Sequence, residues 1–591
     1  MPPSDPIERP LPSGANAPAF GSDVIAETLR ALDVPYIALN PGASYRGLHD
    51  SLVNYLGNTR PQMLLCLHEE SAVAIAHGYA KVTGRAMAAA VHSNVGLMHA
   101  TMAIFNAWCD RLPVLVLGAT GPVDAVKRRP WIDWIHTARD QGALVRPYTK
   151  WDDQPASPSA AREALMRAWF LAHAAPMGPV YVNFDAEMQE AKLSEPLDPI
   201  DVARFTPPVA SAPSAELVAK AAALLKTAKT PVMLIGRTSR SPDAWDARVK
   251  LAEGAGARVI TDLKCGASFP TDHPRHLGAP SVLTPDAEGF RALAAADVIL
   301  SLDWVDLAGT LKAAKAPAAG AKVIHVSVDY QAHNGWSMDH QGLAPVDVLL
   351  AAGPDAAVPL LIAALGEMPG RPAAPQASQD GALSSDTLTV EHLARALRGA
   401  VGERPVSLTH LPLSWNGAWW PFRDPLDYLG ADGGGGLGAG PGVTVGAALA
   451  LRGSGRMAIG ICGDGDFLMG VTALWTATHY RIPLLIVVAN NRSFYNDEVH
   501  QERVARMRNR PVENKWIGQR IADPDIDIAG LARAQGARGF GPVEDVRGLE
   551  PMLAEAIAAV AQGEVAVVDV RVAPGYTPAM TAAVSNAERK A

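Results

Sequence analysis

Cysteine is scarce in this chain of 591 residues. Only four occur, Cys66, Cys109, Cys265 and Cys462, scattered and never in a CxxC pair. Such spacing excludes a disulfide scaffold and a zinc site built on paired thiols, and it suits a reducing compartment. Positive charge is thin too. The formal net charge is −8 and no long basic run is present, so no nucleic-acid footprint is expected. No stretch reaches about 18 uninterrupted apolar residues, which argues against a membrane-spanning helix. The opening MPPSDPIERPLPSGANAPAF has no charged-then-apolar signal pattern, and a cytoplasmic protein is expected.

What is abundant is apolar sequence in short runs. The chain is 48% hydrophobic and 19% charged, enough to bury large cores, and its length suits about three domains. The runs at 35–39, 86–93, 114–120 and 180–185 read as buried strands. So do those at 231–236, 257–262, 297–303 and 322–329, and those at 456–462, 483–490 and 565–572. They lack strict alternation and are separated by helical patterns, which predicts parallel sheets. The expected fold class is α/β, with three doubly wound parallel-sheet domains at 1–193, 215–365 and 387–580. Segments 194–214 and 366–386, rich in Pro, Ser and Ala, are expected linkers, and 581–591 is a polar tail or lid.

One stretch carries chemistry. In RMAIGICGDGDFLMG, a strand ends at Gly463-Asp464-Gly465-Asp466 and DFLMGVTALWTATHY continues as a helix. The next strand ends at Asn490-Asn491, with 24 residues between Gly465 and Asn490. Ligands of open parallel sheets sit beyond the carboxyl ends of strands. The glycines let backbone N–H groups approach phosphate. Asp464, the Asn491 side-chain oxygen and the Ser493 carbonyl are hard oxygen donors suited to Mg²⁺. Each half alone is equally a common turn. The GxGxxG match at Gly433, Gly435 and Gly438 follows no apolar strand, which argues against a Rossmann oxidoreductase.

GDGD…ANN at this spacing resembles the thiamine-diphosphate motif. The chain is similar, over about residues 18–575, to the thiamine-diphosphate-dependent decarboxylase and acetolactate-synthase-like superfamily. The resemblance implies a pyrimidine-binding N-terminal domain, a middle domain and a diphosphate-binding C-terminal domain. The coenzyme then lies between chains of at least a homodimer, or of a dimer of dimers. LHEESAVAIAHGYAKVTG places the family glutamate at Glu69, nine residues before Gly78. There it would hydrogen-bond the pyrimidine and promote the proton loss that activates the coenzyme. Read alone, Glu69 and Glu70 equally suit a helix start. YLGADGGGGLGAGPGVTVGAALAL puts Leu437 at the wedge beneath the coenzyme.

AVHSNVG and FPTDHPRHLG resemble benzoylformate decarboxylase and point to His92 and His273 as proton carriers. NPGASYRGLHD has Ala43 where that enzyme has serine. After the clamp, Asp497 and Glu498 are candidates for a carboxylate above the coenzyme, or for a solvated helix start. The resemblance therefore implies a carbon–carbon lyase or carboligase working next to a carbonyl. The narrowest expectation is a 2-hydroxyacyl-CoA lyase. A benzoylformate-type 2-oxo acid decarboxylase and an acetolactate-synthase-like transferase are the alternatives. LSLDWVDLAG does not resemble the FAD-contacting stretch of the synthases, so thiamine diphosphate and Mg²⁺ are the expected cofactors, without FAD. An intact Glu69, Asp464 and Asn491 oppose a catalytically dead regulatory relative.

Overall fold

Every apolar run singled out above becomes a strand. The structure, a computed structural model, describes residues 8–14, 17–208, 211–282, 285–332, 342–366 and 387–576. The front sheet holds β1 (Tyr36–Leu39), β2 (Gln62–Leu65), β3 (Ala88–Val91), β4 (Leu115–Thr120), β5 (Asp152–Asp153) and β6 (Val180–Asp185). Their order is β2-β1-β3-β4-β6-β5. The middle sheet holds β7 (Pro231–Ile235), β8 (Arg258–Thr261), β9 (Val298–Leu302), β10 (Lys322–Val326) and β11 (Val348–Leu350), in the order β11-β10-β9-β7-β8. The rear sheet holds β12 (Val406–His410), β13 (Met457–Gly463), β14 (Leu484–Asn490), β15 (Arg538–Val543) and β16 (Val565–Arg571), in the order β12-β13-β14-β16-β15.

All strand pairs of the three sheets are parallel. This is the three-layered α/β arrangement expected of continuous apolar runs, since helices must cover both faces of such a sheet. In β14 every residue is buried. No helix among the described residues is long and apolar enough to cross a membrane.

Strands β2, β5, β11, β12 and β15 have no counterpart among the expected runs. β5 is two residues long, and β15 (RGFGPV) is broken by two glycines and a proline, so neither leaves an apolar signature. The helix expected from DFLMGVTALWTATHY is two helices, Asp464–Gly470 and Ala473–His479. The break has a packing cause. A Cβ on Gly470 would stand 2.1 Å from the carbonyl oxygen of Gly438, so the glycine-rich loop presses on the helix there. Among its described residues, segment 194–214 carries no strand and one short turn of 3-10 helix at Val202–Arg204. Of the expected second linker only Gly366 is described, and the tail 581–591 lies outside the described residues.

Front and rear sheets share one apolar core. Helix Glu69–Thr83 of the front packs against helix Ala439–Ala450 of the rear through glycine. A Cβ on Gly78 would lie 2.1 Å from the Val443 carbonyl oxygen, and one on Gly446 would lie 1.9 Å from that of Ile75. Neither site admits a larger residue without parting the helices. The helix that begins at Glu69 is thereby locked onto the helix that follows the Leu437 loop.

Candidate active site

The rear half of the site is built by two neighbouring strand ends. β13 and β14 pair with Gly463 opposite Ala489, so the turns that follow them lie side by side. Asp464 is the first residue of its helix and is 3% exposed. Its carboxylate accepts the Gly465 N–H at 3.1 Å and the Ser493 N–H at 3.1 Å. The Asn491 side-chain oxygen accepts the same Ser493 N–H at 2.9 Å. Burial, opposed by these N–H donors, pushes the Asp464 carboxyl up to about 6. A divalent cation beside it would restore the charged form.

Asn490 is engaged elsewhere: its Nδ2 donates to Asp569 at 2.8 Å and its Oδ1 accepts the Arg492 N–H at 3.1 Å. Ser493 Oγ donates to Glu498 at 2.5 Å. The Glu498 carboxylate therefore turns back into the loop and braces it, with the Arg520 guanidinium 3.8 Å away. Asp497, its neighbour in helix Tyr495–Met507, is exposed. Gly465 sits where a Cβ would meet the Phe494 ring at 2.5 Å, whereas the space over Gly463 is open. Asp466 accepts the Gly438 N–H at 2.7 Å and so tethers the loop carrying Leu437. Leu437 itself is 47% exposed.

The front half centres on Glu69. His68 caps its helix by accepting the Glu70 N–H at 3.2 Å. The buried Glu69 carboxylate lies 3.1 Å from His99 Nδ1, and the His99 ring stacks on His68 at 5.0 Å. Gly96 lies against Glu69, where an added Cβ would be 2.8 Å from Oε1. Alanine at Gly96 suits a helix, yet it would push the carboxylate aside. Gly96→Ala is therefore expected to keep its thermal midpoint within a few degrees while losing turnover by about 100-fold, the scale of an ångström-sized misplacement. Steady-state rates at saturating cofactor, read beside a melting curve, check this.

His92 precedes helix Ser93–Asp110. Its Nδ1 is 2.9 Å from Ser44 Oγ, and the His136 ring meets it edge-on at 4.7 Å. Burial and then His136 lower its pKa, outweighing the pull of Glu69, so it stands as a neutral imidazole. Ala43 offers no polar group here, but Ser44, one residue on, does. His273 is elsewhere in this chain: it lies in the middle domain, 3.3 Å from Glu253, with its Nδ1 accepting the Arg275 N–H. Ser44, His99 and His136 did not stand out in the sequence. His99 lies three residues after Gly96, on the helix face that meets Glu69, a placement that only the fold reveals.

No hydrogen bond or ion pair among the described residues joins the Glu69 set to the Asp464 set. Glu70 senses the rear half electrostatically: burial and then the Asp466 charge raise its pKa.

Three family models match the chain in order. A thiamine pyrophosphate enzyme N-terminal TPP binding domain matches residues 20–144, the central domain matches 218–343, and the C-terminal TPP binding domain matches 413–570. The chain belongs to the thiamine-diphosphate-dependent decarboxylase and acetolactate-synthase-like superfamily. Among relatives of this thiamine-diphosphate enzyme, benzoylformate decarboxylase of Pseudomonas aeruginosa is 28% identical over 501 residues, 81% of this chain and 85% of that protein. The large subunit of acetolactate synthase isozyme 1 of Escherichia coli is 25% identical over 493 residues, 82% of this chain and 83% of that protein. A solved thiamine diphosphate-dependent 4-hydroxybenzoylformate decarboxylase of Rhodococcus jostii RHA1 has a TM-score of 0.75 at 24% identity, covering 95% of this chain and 100% of that one. Benzoylformate decarboxylase of Polynucleobacter necessarius has a TM-score of 0.77 at 20% identity, with the same coverage of 95% and 100%. At such identities the likeness establishes the fold.

The residues of this thiamine-diphosphate enzyme fit its cofactor. Asp464 is a buried carboxyl with a raised pKa, beside an amide oxygen that points into the same turn. An all-oxygen donor set of this kind suits a hard divalent cation carrying phosphate.

Proposed function

We propose that this enzyme breaks the bond between the carbonyl carbon and the carboxylate of a 2-oxo acid of the benzoylformate class, releasing carbon dioxide and an aldehyde. The observation that carries the reading is the Ser44–His92 contact of 2.9 Å, with His92 electrostatically coupled to Glu69. The names of the relatives at 28% and 24% identity point the same way.

In this reading Asp464, Asn491 and the Ser493 carbonyl would hold Mg²⁺ and the diphosphate of the coenzyme. Gly463, Gly465 and Asp466 line that turn, and Leu437 supports the coenzyme from the loop before helix Ala439–Ala450. The bound coenzyme supplies an electron sink for the pair released when a carbon–carbon bond breaks next to a carbonyl. The chain supplies the rest. Glu69 would hydrogen-bond the pyrimidine through its carboxylate. His99, alongside, fixes the direction of that carboxylate. His92, kept neutral and oriented by Ser44, accepts a proton from or returns one to the substrate oxygen. Asp497 remains as an open carboxylate at the mouth.

A second copy of the chain completes the site in this proposal. Leu67, Val95 and Met98 are exposed near Glu69, as are Leu437 and Met469 near the clamp. Apolar groups at both half-sites suit a covering subunit, and a homodimer or a dimer of dimers brings Glu69 of one copy to Asp464 of the other. The same assembly would carry His273 toward His92. All four thiols are buried and unpaired, which suits the cytoplasm.

The test is a substrate screen of the holoenzyme that follows carbon dioxide and aldehyde together. Carbon dioxide and benzaldehyde from benzoylformate support the proposal. Aldehyde without carbon dioxide from a 2-hydroxyacyl-CoA would replace it with the lyase, and acetolactate from pyruvate would replace it with the synthase reaction.

A further inference from the structure

Ser93 carries the backbone strain of the front half-site. It follows His92 directly and opens its helix at a φ of +52°, where helical backbone runs near about −63°. A serine gains nothing from the left-handed region, and such strain persists only where the surroundings enforce it, most often at sites that act. Ser93 is fully buried. Its hydroxyl donates to the carbonyl oxygen of His136, and Asn94 Nδ2 donates to that of Ile135 at 3.3 Å. These two bonds fasten segment 131–136 to the start of the helix that follows His92. The segment is itself strained at its entry, where Trp131 has a φ of +67°.

The fastening has a geometric result. The His136 ring stands 4.7 Å from the His92 ring, centroid to centroid, with 75° between their planes. Gly42 also lies against His92, since a Cβ there would be 2.2 Å from its Cγ. Ser44 Oγ engages Nδ1 at 2.9 Å, and the Tyr45 ring comes edge-on at 6.4 Å. With Nδ1 engaged, Nε2 is the ring atom left to carry a proton. Edge-on rings attract each other only weakly, so His136 holds an orientation because its backbone is pinned. The charged groups that act on His92 are His136, which lowers its pKa after burial does, and Glu69, which raises it.

We infer that Ser93 and His136 are positioning residues that act through His92: Ser93, held in a strained conformation, pins His136 against the His92 ring and so fixes the plane in which His92 carries its proton. The inference rests on the role given to His92 in the proposed decarboxylation. It assigns a purpose to a strain that the packing of the helix alone does not need.

The experiment is a double-substitution cycle on the holoenzyme with benzoylformate. It is read by kcat, KM and melting temperature, and by NMR titration of labelled histidines, with the His92 signal assigned by its loss in His92→Ala. Glycine takes up the left-handed backbone freely, and in Ser93→Gly the His136 carbonyl keeps the Gly121 N–H at 3.3 Å. That variant is expected to melt at or above the wild-type temperature, while kcat falls about 30-fold and KM moves less than about threefold. His136→Gln is expected to lose kcat to the same degree. The double variant should fall no more than about threefold below either single one, because both changes remove one device. In both single variants the histidine that lowers the His92 pKa is gone or displaced, so the His92 titration and the acid limb of kcat/KM are expected to move to higher pH. Full turnover in Ser93→Gly, a melting temperature that falls along with its turnover, or losses that multiply in the double variant overturn the inference. If wild type releases no carbon dioxide from any 2-oxo acid, the decarboxylase reading falls and the His92 titration decides this one: a shift in both variants supports it, and an unmoved His92 overturns it.

Discussion

Glu69→Gln is expected to leave the fold and the uptake of thiamine diphosphate intact while cutting turnover by about 100- to 10,000-fold, the usual worth of a positioned acid or base. Glutamine keeps the size of the side chain and can still accept from His99, so the stack of His68 on His99 and the seat against Gly96 survive. What it loses is a carboxylate able to hold and release a proton. The measurement has two parts: calorimetric binding of the coenzyme, and the rate of substrate consumption at saturating cofactor. Turnover close to wild type would remove Glu69 from the reaction. Lost binding along with lost turnover would recast it as a cofactor anchor.

Asp464→Asn is expected to act at the other end and earlier in the cycle. Changing even an outer partner of a metal ligand typically costs about 10- to 100-fold in metal affinity, and a direct ligand is expected to exceed that. The loop should stay in place, because an asparagine oxygen can accept from Gly465 and Ser493 as the carboxylate does. Chelator-treated wild type should therefore behave like the variant until Mg²⁺ is returned, which rescues wild type alone. Acidity supplies a further signature. With its carboxyl at about 6 in the metal-free protein, Asp464 binds a proton below that pH and the cation must displace it. The Mg²⁺ concentration for half-saturation in wild type is expected to rise about tenfold per pH unit below 6 and to level off above it. The variant should show no such slope. A flat wild-type profile would take Asp464 out of the metal site.

The contrast between Asn490 and Asn491 shows how far sequence carries the site and where it stops. A paired asparagine after an apolar strand points to the turn, and the motif selects the second residue. The fold tells the two apart: β16 brings Asp569 beside Asn490, whereas the Asn491 side-chain oxygen accepts the same Ser493 N–H as Asp464. The same holds for the acids of helix Tyr495–Met507. Asp497 and Glu498 are equivalent as letters, but one is exposed and the other is tied to Ser493. Ser44, His99 and His136 were missed because they reach Glu69 and His92 by tertiary contact, which no local spacing records. Continuous runs such as β13 and β14 were legible because burial on both faces demands them. The split at Gly470 was not, because its cause, the backbone of Gly438, lies 32 residues away in the chain.

The meshing of Gly78 and Gly446 has a mechanical consequence. Helices in backbone contact cannot slide or roll without a clash, so front and rear domains travel as one stiff block. A hinge between them would have to part that contact. Sealing a substrate from solvent would then fall to short segments at the rim, such as the stretch that carries Tyr576, whose hydroxyl donates to Asn496 at 3.0 Å.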